Sequence, residues 1–164
     1  MLKTLHIENI AVIECADVEF SAGLSVLTGE TGAGKSIIID SLNAVLGNRV
    51  SRELVRSGAE RASVTASFES SEAERWCADN EIDADDGEII LQRRITADGK
   101  TSGRVNGVPV TAAQLRELGA LLLDIHGQND GRQLLDERRH LAYLDAFGEC
   151  GEAFSAYREA YDAY

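Results

Sequence analysis

Polar and apolar residues alternate along several short stretches of the chain, as they do in strands that bury one face. The first two stretches lie close together and predict a hairpin, and the later ones predict a strand followed by a second hairpin. The five stretches are residues 2–9, 16–20, 62–69, 88–96 and 101–106. Asp98-Gly99 and Asn106-Gly107 are residue pairs that tight turns between antiparallel strands favour. The pattern therefore predicts an antiparallel β segment.

Other stretches carry apolar residues at helical spacing. They predict helices over residues 35–46, 71–80 and 111–118. Gly47-Asn48 ends the first of these patterns, and Thr111 is placed to act as the N-cap of the last.

Two continuous apolar runs have a different form. LSVLT at residues 24–28 and LLLDI at residues 121–125 are short and apolar throughout, which predicts buried strands. Because a predicted strand directly precedes the helix over residues 35–46, we expect an α/β fold with an antiparallel β segment.

The last stretch of the chain carries an aromatic seam. Its members are spaced alternately three and four residues apart, the spacing of a heptad repeat. They are Phe147, Cys150, Phe154, Tyr157, Tyr161 and Tyr164. The seam predicts a lobe over residues 1–146 followed by the start of a coiled-coil arm over 147–164, which we expect to continue beyond Tyr164. An amphipathic helix that packs on its own domain is the alternative.

Composition narrows the possible functions. The 164 residues are 44% hydrophobic and 27% charged, and the formal net charge is −12. A chain this acidic is not a nucleic-acid binder by bulk charge, so any DNA contact requires a local basic patch. Its cysteines, at positions 15, 77 and 150, show no metal-binding spacing and predict buried or half-buried free thiols. With neither a signal peptide nor an apolar run long enough to span a membrane, we expect a cytoplasmic protein.

The most informative motif is GETGAGKS at residues 29–36, which fits the P-loop pattern G-x-x-x-x-G-K-[ST] between a predicted strand and a predicted helix. Glycines let successive backbone N–H groups turn inward around phosphate oxygens, and the following helix directs its positive dipole end to the same place. Lys35 is placed to reach the β and γ phosphates, and the Ser36 hydroxyl to bind Mg²⁺. The predicted nucleotide-binding residues are Gly29, Glu30, Thr31, Gly32, Ala33, Gly34, Lys35, Ser36 and Ile37.

A P-loop alone does not define a reaction, because hydrolysis also needs an acidic residue for Mg²⁺ and a group that acts on the attacking water. Asp124, after four apolar residues, would supply that carboxylate in a self-contained small kinase. Arg132, Arg138 and Arg139 would then form a lid over the phosphates. This alternative stays open on the residues alone.

Three longer stretches carry a family resemblance. LTGETGAGKSIIIDSLNAVLGNR, LVRSGAERASVTASF and LLDIHGQND occur in this order and resemble the N-terminal part of the RecN family. These bacterial DNA-repair ATPases are related to the structural-maintenance-of-chromosomes (SMC) proteins. The resemblance covers nearly the whole chain, up to the aromatic seam.

The resemblance implies one half of an ATPase head of the ATP-binding-cassette type, with ATP and Mg²⁺ as ligands. Gln128 would be the glutamine-loop residue that reaches Mg²⁺ or the attacking water, with Lys35 as its catalytic partner. Asp124 would then only end a core strand. Arg56 matches a loop that lies near DNA in SMC-like heads.

The signature motif, the Walker B aspartate and the catalytic glutamate of such heads do not occur in these 164 residues. The resemblance therefore implies ATP binding with little turnover by this chain alone, and a tendency of the chain to self-associate. For the longer protein it implies homodimerisation through the heads, action on DNA double-strand break ends, and a location at the bacterial nucleoid. As a non-enzymatic alternative, the chain would act only as an ATP-gated dimerisation module and would not hydrolyse ATP itself.

Overall fold

The computed structural model describes residues 1–29, 34–84, 87–125, 137–148 and 150–162. The chain divides into two compact units, residues 1–124 and residues 125–164. The predicted division into a lobe over 1–146 and an arm over 147–164 stays a prediction about the longer protein.

The first unit is built on a six-stranded antiparallel sheet. Its strands are β1 (Leu2–Ile10), β2 (Ile13–Glu19), β3 (Arg61–Glu69), β4 (Glu88–Thr96), β5 (Thr101–Val105) and β6 (Val108–Val110). Their order across the sheet is β2-β1-β3-β4-β5-β6. All five alternating stretches are thus confirmed as strands. The turns at Asp98-Gly99 and Asn106-Gly107 are confirmed as well, because each joins two adjacent antiparallel strands.

Alternation along these strands divides the sheet into an apolar and a polar face. Side chains of the apolar face are almost fully buried, among them Leu5, Ile7, Val64, Phe68 and Leu91. The helices that contact this face are α1 (Lys35–Val45) and α3 (Ala112–Leu122), while α2 (Ser71–Asp79) contacts α3. The polar face is open to solvent, since none of the contacting helices lies on it within the described part of the first unit.

Local sequence explains where the helices begin. Thr111 and Gln114 form a capping box, in which the Thr111 hydroxyl accepts from the Gln114 N–H at 3.2 Å and the Gln114 side chain accepts from the Thr111 N–H at 3.0 Å. This satisfies two of the donors that a helix start leaves without partners. Ser70 caps α2 by accepting from the Ala73 N–H at 3.4 Å. The cap predicted at Thr111 is confirmed.

Both predicted buried strands are wrong. Residues 24–28 form no strand, and Leu24 and Val26 are 92% and 70% exposed. In the second run, Leu121 and Leu122 belong to α3, which continues four residues past its predicted end at Leu118. An apolar run becomes a buried strand only where other strands supply hydrogen-bond partners for its N–H and C=O groups. Among the described residues no strand pairs with either run.

One charged side chain lies on the apolar face of the sheet. Arg93 of β4 is only 4% exposed, and its Nη2 donates to the Thr101 hydroxyl at 2.9 Å. Its Nε lies buried without a hydrogen-bond partner among the described residues. Burial, together with the nearby positive charge of Arg116, lowers the pKa of the Arg93 guanidinium.

The second unit contains two described helices, α4 (Glu137–Phe147) and α5 (Gly151–Asp162). The aromatic seam is divided between them, because α4 ends at Phe147 and α5 begins after Cys150. Phe154, Tyr157 and Tyr161 are all at least half exposed. The rings of Tyr157 and Tyr161 stack with centroids 6.1 Å apart. The coiled coil itself stays a prediction.

Candidate nucleotide site

The described part of the P-loop lies at the start of α1. Gly34 has a φ of 102°, a left-handed conformation that favours glycine, and it occupies the N-cap of the helix without offering a side-chain cap. The Ile38 N–H donates to the Gly34 carbonyl at 3.1 Å and closes the first turn. The first turn of α1 contains no acidic residue. Its N–H groups and positive dipole end therefore favour an anion at this position.

Lys35 is the first residue of α1, and its ammonium donates to the Gly29 carbonyl on the other side of the loop. The side chain thus reaches back to Gly29, the first residue of the P-loop pattern. An ammonium beside helix N–H groups is suited to a polyanionic ligand. The described residues fit the triphosphate that the motif predicts.

Ser36 and Ile37 follow in the first turn. Ser36 is exposed, so a metal ion bound to a phosphate at the helix start can reach its hydroxyl. Ile37 is half-buried, and its carbonyl accepts from the Ser41 hydroxyl at 2.7 Å. Ser41 is fully buried, and this bond gives its hydroxyl an acceptor within the helix.

Several predicted site residues lie outside the described residues. They are Glu30, Thr31, Gly32, Ala33 and Gln128. Their roles stay predictions.

Arg56 lies beside the turn between β1 and β2. Its Nη1 donates to the Val12 carbonyl at 2.7 Å, and its Nη2 is 3.9 Å from a Glu14 carboxylate oxygen. The Arg56 N–H also donates to the Asn9 carbonyl at 2.9 Å. An open depression of about 560 Å³ is lined by Arg56, Asn9, Glu14 and residues 57–61. The structure thus gives Arg56 a structural role, and its predicted DNA contact stays a prediction.

The structure does not place Asp124 where the kinase alternative requires it. Asp124 is exposed and follows helix α3, whereas the alternative requires it at the end of a buried strand. Arg132 lies outside the described residues, and the backbones of Arg138 and Arg139 belong to α4.

The sequence interpretation missed one cluster of polar side chains. His6, Cys15 and Asp17 lie together on the polar face, although Cys15 was expected to be at least half-buried. That expectation is wrong for Cys150 too, which is exposed, and right for Cys77, which is buried. The alternation of the first hairpin indicates that these residues face solvent on the same side of the sheet. It does not reveal which of them are neighbours, because that depends on the strand register.

Comparison with known proteins places this fold in a class. The chain matches the AAA domain family over residues 4–140. It superposes on the Smc head domain with an extended coiled coil from Pyrococcus furiosus with a TM-score of 0.67 and 22% identity, covering 99% of this chain and 45% of that chain. A chain solved in work on ATP-driven dimerisation and DNA-stimulated activation of SMC ATPases gives a TM-score of 0.64 at 24% identity, with coverages of 88% and 98%. The fold is the α/β, P-loop NTPase-like fold of SMC-type heads.

A closer relative identifies the family within that class. DNA repair protein RecN of Bacillus subtilis (strain 168) is 47% identical over 169 residues, which cover 100% of this chain and 29% of the relative. The chain belongs to the RecN family of AAA domain proteins and corresponds to its N-terminal part. It spans about three tenths of the length of the relatives it matches.

No described helix has the length and apolar character needed to cross a membrane.

Proposed function

We propose that this chain is the ATP-binding half of an SMC-like ATPase that acts in recombinational repair of DNA double-strand breaks. The observation that carries the proposal is the start of α1, where Lys35 folds back to Gly29 across the P-loop. Membership of the RecN family supports the repair role, since its named relatives are DNA repair proteins.

Each P-loop residue has a defined task in this proposal. Mg²⁺-ATP, when bound, supplies a γ-phosphoryl group whose negative charge must be neutralised during transfer. The Lys35 ammonium neutralises that charge, and the amides of Gly32, Gly34 and the first turn of α1 hold the phosphate oxygens. The Ser36 hydroxyl holds the metal. Gln128 acts on the attacking water or on the metal.

Turnover requires residues beyond these 164. The proposal assigns the signature motif, the Walker B aspartate and the catalytic glutamate to the remainder of the longer protein. Two heads of a homodimer would then enclose ATP between them. The related structure solved in work on ATP-driven dimerisation of SMC ATPases supports such a dimer. We expect the present chain alone to bind ATP with little turnover.

DNA contact would be local, given a net charge of −12. We place it at Arg56, whose guanidinium is partly exposed beside the depression lined by residues 57–61. In the full-length protein, Arg56→Ala should weaken binding to double-stranded DNA and lower the salt dependence by about one counterion. Arg94→Ala, an exposed arginine of β4, is the charge-matched control. Equal losses from both variants would show a bulk charge effect and contradict a specific contact.

ATP binding by the 164-residue chain tests the core of the proposal. A fluorescent ATP analogue is titrated with Mg²⁺ against the unaltered chain, Lys35→Ala and Lys100→Ala, whose lysine lies in the exposed turn between β4 and β5. Charge-assisted hydrogen bonds are worth about 1.5–3 kcal/mol, so Lys35→Ala should raise Kd roughly 10- to 150-fold. Lys100→Ala should leave Kd unchanged. Equal affinity of all three proteins would contradict the proposal.

A further inference from the structure

The polar face of the first hairpin carries four metal-ligating side chains in a two-by-two arrangement. His6 and Glu8 are alternate residues of β1, and Cys15 and Asp17 are alternate residues of β2. The register pairs His6 with Asp17 and Glu8 with Cys15. Directly opposed side chains in an antiparallel pair have Cβ atoms about 5 Å apart. The pairing of β1 with the edge strand β2 therefore holds all four side chains on one small area of the surface.

Three of them bring different ligand atoms within reach of one ion. The His6 ring nitrogen, the Cys15 sulfur and an Asp17 carboxylate oxygen all lie within 4.8 Å of one another. His6 Nδ1 and Asp17 Oδ1 are 2.6 Å apart. Zn²⁺ binds these atom types at about 2.0–2.3 Å, which places tetrahedral ligand atoms roughly 3.3–3.8 Å apart. The side chains of His6 and Asp17 are 35% and 76% exposed, so small torsional changes can bring them to those separations.

The remaining side chain is placed to orient the histidine. Glu8 Oε1 is 3.4 Å from His6 Nε2, the ring nitrogen that faces away from Asp17. The other Glu8 oxygen accepts from the Ser63 hydroxyl of β3 at 2.8 Å. Histidines that bind a metal through one nitrogen commonly donate the other N–H to a carboxylate, which fixes the ring and its tautomer. Glu8, held by Ser63, already occupies that position.

We propose that His6 Nδ1, Cys15 Sγ and Asp17 form a binding site for a borderline-soft divalent cation of the Zn²⁺ class, with Glu8 as the positioning residue of His6. Binding releases the proton shared between His6 and Asp17 and the proton of the Cys15 thiol to solvent, and water completes the coordination. The nitrogen and sulfur ligands disfavour Mg²⁺ and Ca²⁺, which take oxygen ligands. The site lies on the first hairpin and is independent of the P-loop.

Co²⁺ titration of the 164-residue chain tests the proposal, because a thiolate ligand adds a charge-transfer absorption band to the spectrum of this ion. We expect one Co²⁺ per chain with that band, and displacement by one equivalent of Zn²⁺. Cys15→Ser should abolish the band, whereas Cys150→Ser, which removes the other exposed thiol, should leave it intact. Loss of the band in Cys150→Ser, or its persistence in Cys15→Ser, would overturn the proposal. The absence of any band in the unaltered chain would do so too.

Two further variants separate ligand from positioning residue. Asp17→Asn should weaken Zn²⁺ binding more than Glu8→Gln, for which we expect a loss of about 10- to 100-fold, as for other residues that orient a metal-bound histidine. Glu19→Gln removes the next solvent-facing carboxylate of β2 and should leave the affinity unchanged. Circular dichroism of each variant shows whether the sheet is retained. Equal affinities of Asp17→Asn and Glu19→Gln in folded protein would contradict the assigned ligand set.

Discussion

His6 lies between two carboxylates on the polar face of the sheet, and this placement has a measurable consequence. The hydrogen bond to Asp17, with a smaller contribution from Glu8, raises the pKa of His6 above 6.5. A histidine whose pKa is higher in the folded than in the unfolded state contributes to the free energy of unfolding. This contribution is complete below the unfolded-state pKa of about 6.5 and is lost as pH rises through the folded-state pKa. The pH range in which this stability is lost therefore lies on the alkaline side of pH 6.5.

Asp17→Asn should lower the pKa of His6 towards 6.5, as measured by NMR titration of the imidazole with a chelator present. Glu19→Gln is the control, and a His6 pKa at or below 6.5 in the unaltered chain would contradict the prediction.

Arg93 presents the opposite case, a charge that the core accommodates poorly. The side chain is 4% exposed and has one described partner, the Thr101 hydroxyl. A buried polar group without a partner costs about 1–3 kcal/mol, and an apolar side chain of similar length avoids that cost. Arg93→Met should therefore raise the free energy of unfolding by up to about that amount in urea denaturation. Arg94→Met, at the exposed neighbouring position, should change it little. A loss of stability in Arg93→Met would indicate that the guanidinium has a stabilising partner.

At the scale of elements, two glycines allow the segment that directly follows α1 to lie close against α3. A Cβ on Gly119 would lie 2.7 Å from the Leu46 carbonyl oxygen, and one on Gly47 would lie 2.5 Å from the Arg116 backbone nitrogen. Both contacts are to backbone atoms, so a methyl group forces α3 and this segment apart. Gly119→Ala should lower the free energy of unfolding by about 1–3 kcal/mol. Gly151→Ala is the matched control, because a Cβ there meets nothing within 4 Å. Equal stability of the two variants in urea denaturation would contradict this packing.

Sequence patterns predicted the elements whose signals are local. Alternation predicted all five long strands, and the cap at Thr111 predicted the start of α3. The runs at 24–28 and 121–125 were predicted wrongly because a buried strand depends on partners elsewhere in the chain. In α3, the helix continues through Leu121 and Leu122, where the pattern predicted a strand.

In the candidate site, too, local features were predictable from the sequence and non-local contacts were not. The P-loop pattern located the start of α1 and the position of Lys35, because glycine spacing and a helix start are local features. The Arg56 contacts to Val12 and Glu14 depend on how the loop packs against the first hairpin, which no local pattern reveals. The same holds for the cluster of His6, Cys15 and Asp17, which requires the strand register.

At the scale of the molecule, the first unit leaves apolar side chains in solvent near the P-loop. Leu24, Val26 and Leu27 are 92%, 70% and 45% exposed within four consecutive residues. Exposed apolar groups that lie close together favour association. We expect the 164-residue chain to self-associate with increasing concentration in analytical ultracentrifugation, and Leu24→Ser with Val26→Ser to weaken that association. Val12→Ser removes a side chain that is 75% exposed in the β1–β2 turn and should have little effect. A chain that stays monomeric at all concentrations would contradict the expectation.

We propose that this chain supplies the nucleotide-binding part of a longer protein that hydrolyses ATP. The most direct measurement is the steady-state ATPase rate of the full-length protein with Lys35→Ala, compared with Lys100→Ala. Because Lys35 is proposed to neutralise charge on the transferred phosphoryl group, its loss should reduce kcat/KM by at least the roughly 10-fold expected for one charge-assisted hydrogen bond, while Lys100→Ala retains full activity. A Lys35→Ala protein that hydrolyses ATP as fast as the unaltered protein would contradict the account.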